Sequence, residues 1–303
     1  MTRFLLFALL LLLAPLFASA APRIGVMTMQ PGEVFWERFG HDAIVVDDGA
    51  PGGPTSYNFG FFDLAEDGFI GRFVRGEMEY MLVALPLEDD LRYYREVGRG
   101  ARLQWLDLDP AQARSLAAAL AENAKPENAR YRYDYYTDNC ASRVRDAIDR
   151  ALGGQLRRQL DVRSSGDTYR TESVRLASPA AWMRVGFDLG LGPFADRPLT
   201  RWQQAFLPRR LADDLREATR ADGRPLVAEE IELLPQRQAA EPVGRAPRLW
   251  PWLLAGVLAG TAVLVLAGWR PRLLAGFAGA FWATCGLLGL VLALGWAFTA
   301  HHA

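Results

Sequence analysis

Residues 135–154 read YYTDNCASRVRDAIDRALGG and carry the clearest helix signal in the chain. We predict a helix over residues 139–152, which Asp138 or Asn139 can cap and which Gly153-Gly154 end. Its apolar face is formed by Val144, Ile148 and Leu152. Cys140 lies close to the predicted start of this helix, so the reactivity of its thiol depends on where the helix begins.

Cys140 falls in the first turn, where unsatisfied N–H groups and the helix dipole favour a thiolate. Arg143 and Arg145 add positive charge nearby. Of the chain's two cysteines and three histidines, Cys285 lies in an apolar segment and two histidines lie at the C-terminus, which leaves Cys140 and His41. Such a pair can act as nucleophile and base. The alternative is a small buried cysteine and a satisfied core histidine.

The N-terminus has the order of a secretory signal. Arg3 precedes an apolar run over residues 4–17, and Ala18-Ser19-Ala20 forms a small-x-small site. We predict a signal peptide over residues 1–20, cleaved after Ala20. The alternative is an uncleaved anchor, and in both cases the chain that follows is exported.

The C-terminus contains two uncharged apolar runs, at residues 249–268 and 273–299. Each is long enough to span the roughly 30 Å of a bilayer core. Residues 269–272 read WRPR and form a basic turn between them. We therefore predict a two-helix transmembrane hairpin, 249–299, with its turn in the cytoplasm and its tail outside. The charge bias of the flanking residues is ambiguous, so the export signal sets this topology.

Between the two ends, we predict one exported domain over residues 21–234 and a Pro- and Arg-containing linker over 235–248. Strands are predicted at 23–29, 41–47, 55–62, 80–85, 101–108 and 226–234. Helices are predicted at 64–76, 110–124, 139–152, 168–176, 180–189 and 201–219. Strands come early and helices late, so the fold class is α+β.

Composition excludes several functions. The chain of 303 residues has 34 basic and 35 acidic residues and no basic stripe, which argues against nucleic acid as a partner. Glu66-Asp67 and Glu88-Asp89-Asp90 resemble any solvated surface, and without a histidine cluster they predict no metal site. Residues 49–53 lack the features of a phosphate loop. The tyrosines at 131–136 are read as a strand face and core.

Three sequence blocks resemble the signatures of the Lnb-type lipoprotein N-acyltransferase periplasmic domain. They are FGHDAIVV at 39–46, YNFG at 57–60 and YYTDNCASRVRD at 135–146. The stretch 202–211, with Phe206-Leu207-Pro208, is also similar. The resemblance covers most of the exported domain, and a Gly-His block followed by an Asn-Cys block is fairly specific.

The resemblance implies a permuted papain-like (NlpC-like) cysteine domain, followed here by the hairpin. It implies that Cys140 accepts an acyl chain from a membrane phospholipid and passes it to the N-terminal cysteine amine of a diacylglyceryl lipoprotein, with His41 as base and no cofactor. Asn58, in the second block, is our choice for the third polar residue, although a turn or edge asparagine is about equally expected. Tyr57, Arg143 and Arg145 are predicted to bind substrate.

Two other functions remain open. A cell-wall peptidase or amidase of the same fold would use the same Cys140 and His41 with water as acceptor, and it would need an open polar groove. A membrane-tethered binding module would contain a structural Cys140. If the protein is an N-acyltransferase, its expected location is the bacterial inner membrane, with the domain in the periplasm and the bilayer itself as a partner.

Overall fold

The computed structural model describes residues 20–162, 166–244 and 250–301. The predicted signal peptide lies outside these residues except for Ala20. The end of the predicted linker, at 245–248, the first residue of the predicted hairpin, 249, and the last two residues also lie outside them. The described chain forms a mixed α/β domain with an antiparallel sheet, followed by two apolar helices.

The sheet is the centre of the domain. In the part of the chain that the structure describes, seven antiparallel strands are joined in the order β6-β4-β3-β2-β1-β5-β7. They are β1 (Arg23–Met29), β2 (His41–Asp47), β3 (Thr55–Phe61), β4 (Glu79–Pro86), β5 (Ala101–Leu106), β6 (Arg130–Arg132) and β7 (Val227–Leu234). The sequence predicted all of these except β6, with end points within two residues.

Helices surround the sheet and follow it. Those of the domain are α1 (Phe69–Arg75), α2 (Leu87–Val97), α3 (Pro110–Asn123), α4 (Pro126–Ala129), α5 (Cys140–Ala151), α6 (Gln155–Leu160), α7 (Tyr169–Ala177), α8 (Ala181–Gly190), α9 (Arg201–Gln204) and α10 (Pro208–Glu217). Short 3-10 turns form at Phe35–Glu37 and Pro193–Asp196.

Two helix predictions were wrong in extent. The helix expected over 201–219 is two helices, because Pro208 lacks an N–H and starts a new helix after Leu207. The helix expected over 64–76 begins only at Phe69, after Gly68 in the left-handed conformation. Helix α2 was not predicted at all.

Each face of the sheet has its own core. Alternate residues of β2 point to opposite faces. Ile44 and Val46 pack with residues of α3, α5 and α10, whereas Ala43 and Val45 pack with Leu91 and other residues of α2 and β5. The strand that begins at His41 is therefore covered by helices on both faces.

Residues 235–244 run along the domain surface. Arg237 N–H donates to Gly98 O at 2.9 Å, and the Gln236 side chain accepts from Gly100 N–H at 2.5 Å. Further on, Arg175 pairs with Glu241 at 2.7 Å. The first part of the predicted linker is thus attached to the domain rather than extended away from it.

The two C-terminal helices are α11 (Trp250–Trp269) and α12 (Pro271–Phe298), and both are long and apolar enough to cross a membrane. The residues after α12 return to the domain. Ala300 N–H donates to Arg75 O at 2.7 Å, and His301 Nε2 lies 3.0 Å from Phe73 O. The residues that directly follow α12 are therefore in contact with α1.

Candidate active site

The first turn of α5 is fixed by Asn139. Its side-chain oxygen accepts the Ser142 N–H at 2.9 Å, and its own N–H donates to Ser142 Oγ at 2.7 Å. Its side-chain nitrogen donates to Tyr135 O and Phe206 O, both at 2.9 Å. Cys140 is therefore placed by hydrogen bonds that reach both the preceding loop and the residues before α10.

Strand β2 brings His41 to this turn. The backbone of Asp42, the next residue, lies close enough to the Cys140 thiol to lower its pKa by hydrogen bonding. The thiol thus lies against the peptide bond that joins His41 to Asp42. Cys140 and His41 are both partly exposed.

Gly60 gives the thiol room. It has a φ of +95°, which favours glycine, and a Cβ built there would lie 3.6 Å from Cys140 Cβ. The ladder between β3 and β4 is irregular at the same point, between Asn58 and Phe61. The irregular part of β3 therefore lies beside the cysteine.

A chain of hydrogen bonds supports the imidazole from the other side. His41 Nε2 lies 3.0 Å from Asn58 Oδ1. Asn58 donates from Nδ2 to Asp90 Oδ2 at 2.9 Å and to Ser56 Oγ at 3.0 Å, and the Ser56 hydroxyl donates to the same Asp90 oxygen at 2.7 Å. Since Asn58 accepts from Nε2–H, Nδ1 is the ring nitrogen left to take a proton from a thiol.

Asp90 was missed by the sequence reading, which placed it on a solvated surface. It is buried on α2. A usable signal was present: Leu87, Leu91 and Tyr94 recur at helical spacing, and Asp90 falls on the same face.

Burial dominates the electrostatics of the pair. It raises the pKa of Cys140 to about 12, and the Asp42 charge adds to the increase, while backbone hydrogen bonds oppose it. Burial lowers the pKa of His41, although Asp90 and the bond to Asn58 act in the opposite direction. Burial therefore favours a neutral thiol and a neutral imidazole in the resting site. This desolvation acts against the thiolate that the helix start favours.

Asp42 lies on the α5 face of β2 and is fully buried. Thr28 Oγ1 donates to its Oδ1 at 2.7 Å, while Oδ2 has no hydrogen-bond partner among the described residues. Burial raises its pKa to about 7. A carboxyl group that changes charge near neutral pH thus lies next to the thiol.

Tyr131 brings a hydroxyl group close to Cys140, although the sequence assigned this tyrosine to a strand face and core. Its hydroxyl lies 3.9 Å from the Cβ position of Gly60, on the same side as Cys140. The hydroxyl is buried and makes no hydrogen bond within the described part of the chain. Burial raises the pKa of Tyr131, so its hydroxyl remains a donor at neutral pH.

The predicted substrate-binding residues have other partners. Arg143 donates to Asp138 at 2.6 and 2.8 Å and lies 3.5 Å from the Tyr131 ring centroid. Arg145 is buried, donates to Trp202 O at 2.6 Å and pairs with Asp146. Neither arginine is among the groups with the largest effects on the pKa of Cys140, and their contact with substrate stays a prediction.

Tyr57 packs against the core on the α5 face, and its charged neighbour is Asp48, beyond the end of β2 opposite His41. Contact of Tyr57 with substrate stays a prediction. Within the described ranges, no three His, Cys, Asp or Glu side chains are grouped to hold a metal ion.

The family model of the Lnb N-terminal periplasmic domain matches residues 18–178. The chain belongs to this family. No curated protein and no solved structure matches it. The Lnb match covers His41, Asn58, Asp90 and Cys140, so the whole hydrogen-bonded site lies inside the family domain. This Lnb chain is therefore a membrane protein with a periplasmic domain.

Replacing Asp42 by asparagine tests the charge beside the Lnb thiol. Asp42 is neutral below its raised pKa of about 7 and anionic above it, where it opposes formation of the thiolate. In a Cys285→Ala background, we expect Asp42→Asn to leave alkylation of Cys140 by iodoacetamide unchanged at about pH 6 and to accelerate it several-fold at about pH 9. Equal rates at the higher pH would show that this charge does not act on the thiol.

Asp90→Asn tests the support of the imidazole. The anion stabilises the imidazolium, so its removal should lower the pKa of His41 further and move the ascending limb of the pH–alkylation profile of Cys140 to lower pH. Asp89→Asn is the matched control, because Asp89 is an exposed neighbour that pairs with Arg92. A profile that is the same in both variants would remove Asp90 from the site.

Proposed function

We propose that this protein is a membrane-bound apolipoprotein N-acyltransferase that works through an acyl thioester on Cys140. The observation that carries the proposal is the hydrogen-bonded line from Asp90 through Asn58 to His41, which ends beside a thiol at a helix start. Family membership supports the same function. A permuted papain-like arrangement, in which the histidine strand precedes the cysteine helix, belongs to the proposal.

In the first half-reaction, His41 removes the thiol proton as Sγ attacks an ester carbonyl of a phospholipid. The tetrahedral intermediate collapses to an acyl-cysteine, and the lysophospholipid oxygen leaves with the proton from His41. In the second half-reaction, the lipoprotein amine attacks the thioester. His41 accepts a proton from that amine and returns it to the departing Cys140 sulfur.

Neutral starting groups suit this sequence of steps. A buried thiol with a raised pKa stays protonated until a substrate occupies the site, and a neutral imidazole can then accept its proton. The Cys140 backbone N–H and the Tyr131 hydroxyl are the donors that we assign to the oxyanion. No step requires a cofactor.

The proposed layout follows from the same features. A signal peptide over 1–20 exports the catalytic domain, 21–234, and the hairpin 249–299 holds it at the inner membrane with its turn in the cytoplasm. The contact of His301 with α1 supports this orientation, because it keeps the end of α12 on the side of the domain. Phospholipid and diacylglyceryl lipoprotein are then both presented by the bilayer.

A cell-wall peptidase or amidase is the second candidate, since the same Cys140 and His41 can use water as acceptor. The contact between the domain and the end of α12 favours a lipid donor over a distant polymer. A membrane-tethered binding module with a structural Cys140 is less well supported, because a structural thiol needs no hydrogen-bonded histidine beside it.

The thioester is tested by intact mass. We expect full-length protein purified in mild detergent, and incubated with phospholipid, to gain one fatty-acyl increment that neutral hydroxylamine removes. Cys140→Ala should lack the increment, and Cys285→Ala, which changes the other free cysteine, should keep it. A wild type without any adduct would favour the hydrolase, and an adduct retained in Cys140→Ala would exclude this mechanism.

Tyr131→Phe tests the second oxyanion donor. Removing one such donor typically lowers kcat by about 10²–10³-fold, and we expect a loss in the lower part of that range with little change in thermal stability. Tyr136→Phe is the control, because its hydroxyl lies 3.1 Å from Ser173 Oγ and is already engaged. Both rates are measured as transfer to a diacylglyceryl peptide, and equal activity of the two variants would reject the role of Tyr131.

A further inference from the structure

Two helices near the site expose apolar faces instead of burying them. In α8, Trp182, Val185 and Leu189 recur at helical spacing, and Trp182 and Leu189 are 70% and 67% exposed. In α1, Ile70 and Val74 lie one turn apart and are 66% and 61% exposed. Soluble surfaces rarely carry apolar stripes of this kind.

Stacked rings join the two helices into one surface. Phe35, in the 3-10 turn before β2, stacks on Trp182 at 6.2 Å between ring centroids. Its neighbour Trp36 meets Phe62 at 6.0 Å, and Phe62 stacks on Phe69 of α1 at 5.8 Å. We call Trp36, Ile70, Val74, Trp182, Val185 and Leu189 the apolar rim.

The rim is continuous with the candidate site. Phe62 follows Gly60 by two residues, and it packs in one cluster with Tyr131. Three residues separate the 3-10 turn with Trp36 from His41, the first residue of β2. The rim therefore borders the residues next to the thiol.

The end of α12 shows how close the rim lies to the membrane surface if α12 spans the bilayer. His301, three residues after Phe298, bonds to Phe73 O of α1 and stacks on Tyr135. Three residues span at most about 10 Å. If α12 crosses the bilayer, α1 must lie within that distance of the level at which α12 leaves it.

We propose that the apolar rim is inserted into the bilayer leaflet that faces the domain. Apolar stripes beside an emerging transmembrane helix fit a lipid surface, as in interfacial helices. Trp36 and Trp182, at the junction between the two helices, suit the headgroup boundary. The proposal requires α11 and α12 to span the membrane, and it does not require that Cys140 transfer acyl chains.

Site-directed fluorescence tests the insertion. Full-length Cys140→Ala/Cys285→Ala protein is labelled with NBD at Ile70→Cys or Leu189→Cys and placed, one copy per disc, in phospholipid nanodiscs. The control is Ala221→Cys, an exposed position in the turn between α10 and β7. Arg220 in that turn donates to Asp107, the residue that follows β5. Ala101, at the other end of β5, is level with His41, so the control position lies at the end of the strands far from His41.

We expect spin-labelled lipids to quench both rim labels at least about twofold more than the control, and aqueous iodide to do the reverse. Iodide quenching of the rim labels equal to that of the control would overturn the proposal. Labels shielded from iodide yet not quenched by lipid would also overturn it, and would indicate that protein covers the rim. Since acyl transfer is absent from this assay, failure here is distinct from failure of the proposed function.

Discussion

The packing of one helix start against one strand is the constraint on which the site depends. The first turn of α5 must lie at the beginning of β2, or the thiol would not reach the backbone of Asp42. Asn139 secures that position through four hydrogen bonds, one of which ends at Phe206. The stretch around Trp202 and Phe206 is therefore part of the support of Cys140, although it lies more than sixty residues further along the chain.

The polar side of the site is built from the opposite face of the sheet. His41 and Asn58 receive their support from Asp90 on α2, while Cys140 and Asp42 lie on the α5 face. Groups from both faces of the sheet thus come together at the beginning of β2.

The sequence predicted the strands well, because alternation and turn residues are local signals, and it predicted the Cys140 helix to within one residue at each end. It identified His41, Asn58 and Cys140 as candidates. It missed α2 and the burial of Asp90, since a run of three acidic residues is typical of a surface. It also predicted a thiolate, whereas burial of Cys140 favours the neutral thiol. Burial is a property of the packed chain, and neither helix position nor neighbouring arginines reveal it.

The attachment of residues 235–242 to the domain limits how far the domain can travel. Seven residues separate Pro242 from Trp250, and they can bridge at most about 25 Å even when fully extended. With the chain also held at His301, the domain is fastened at the start of α11 and at the end of α12. If these two helices cross a bilayer, the domain stays close to its surface, where molecules that diffuse in two dimensions can reach it.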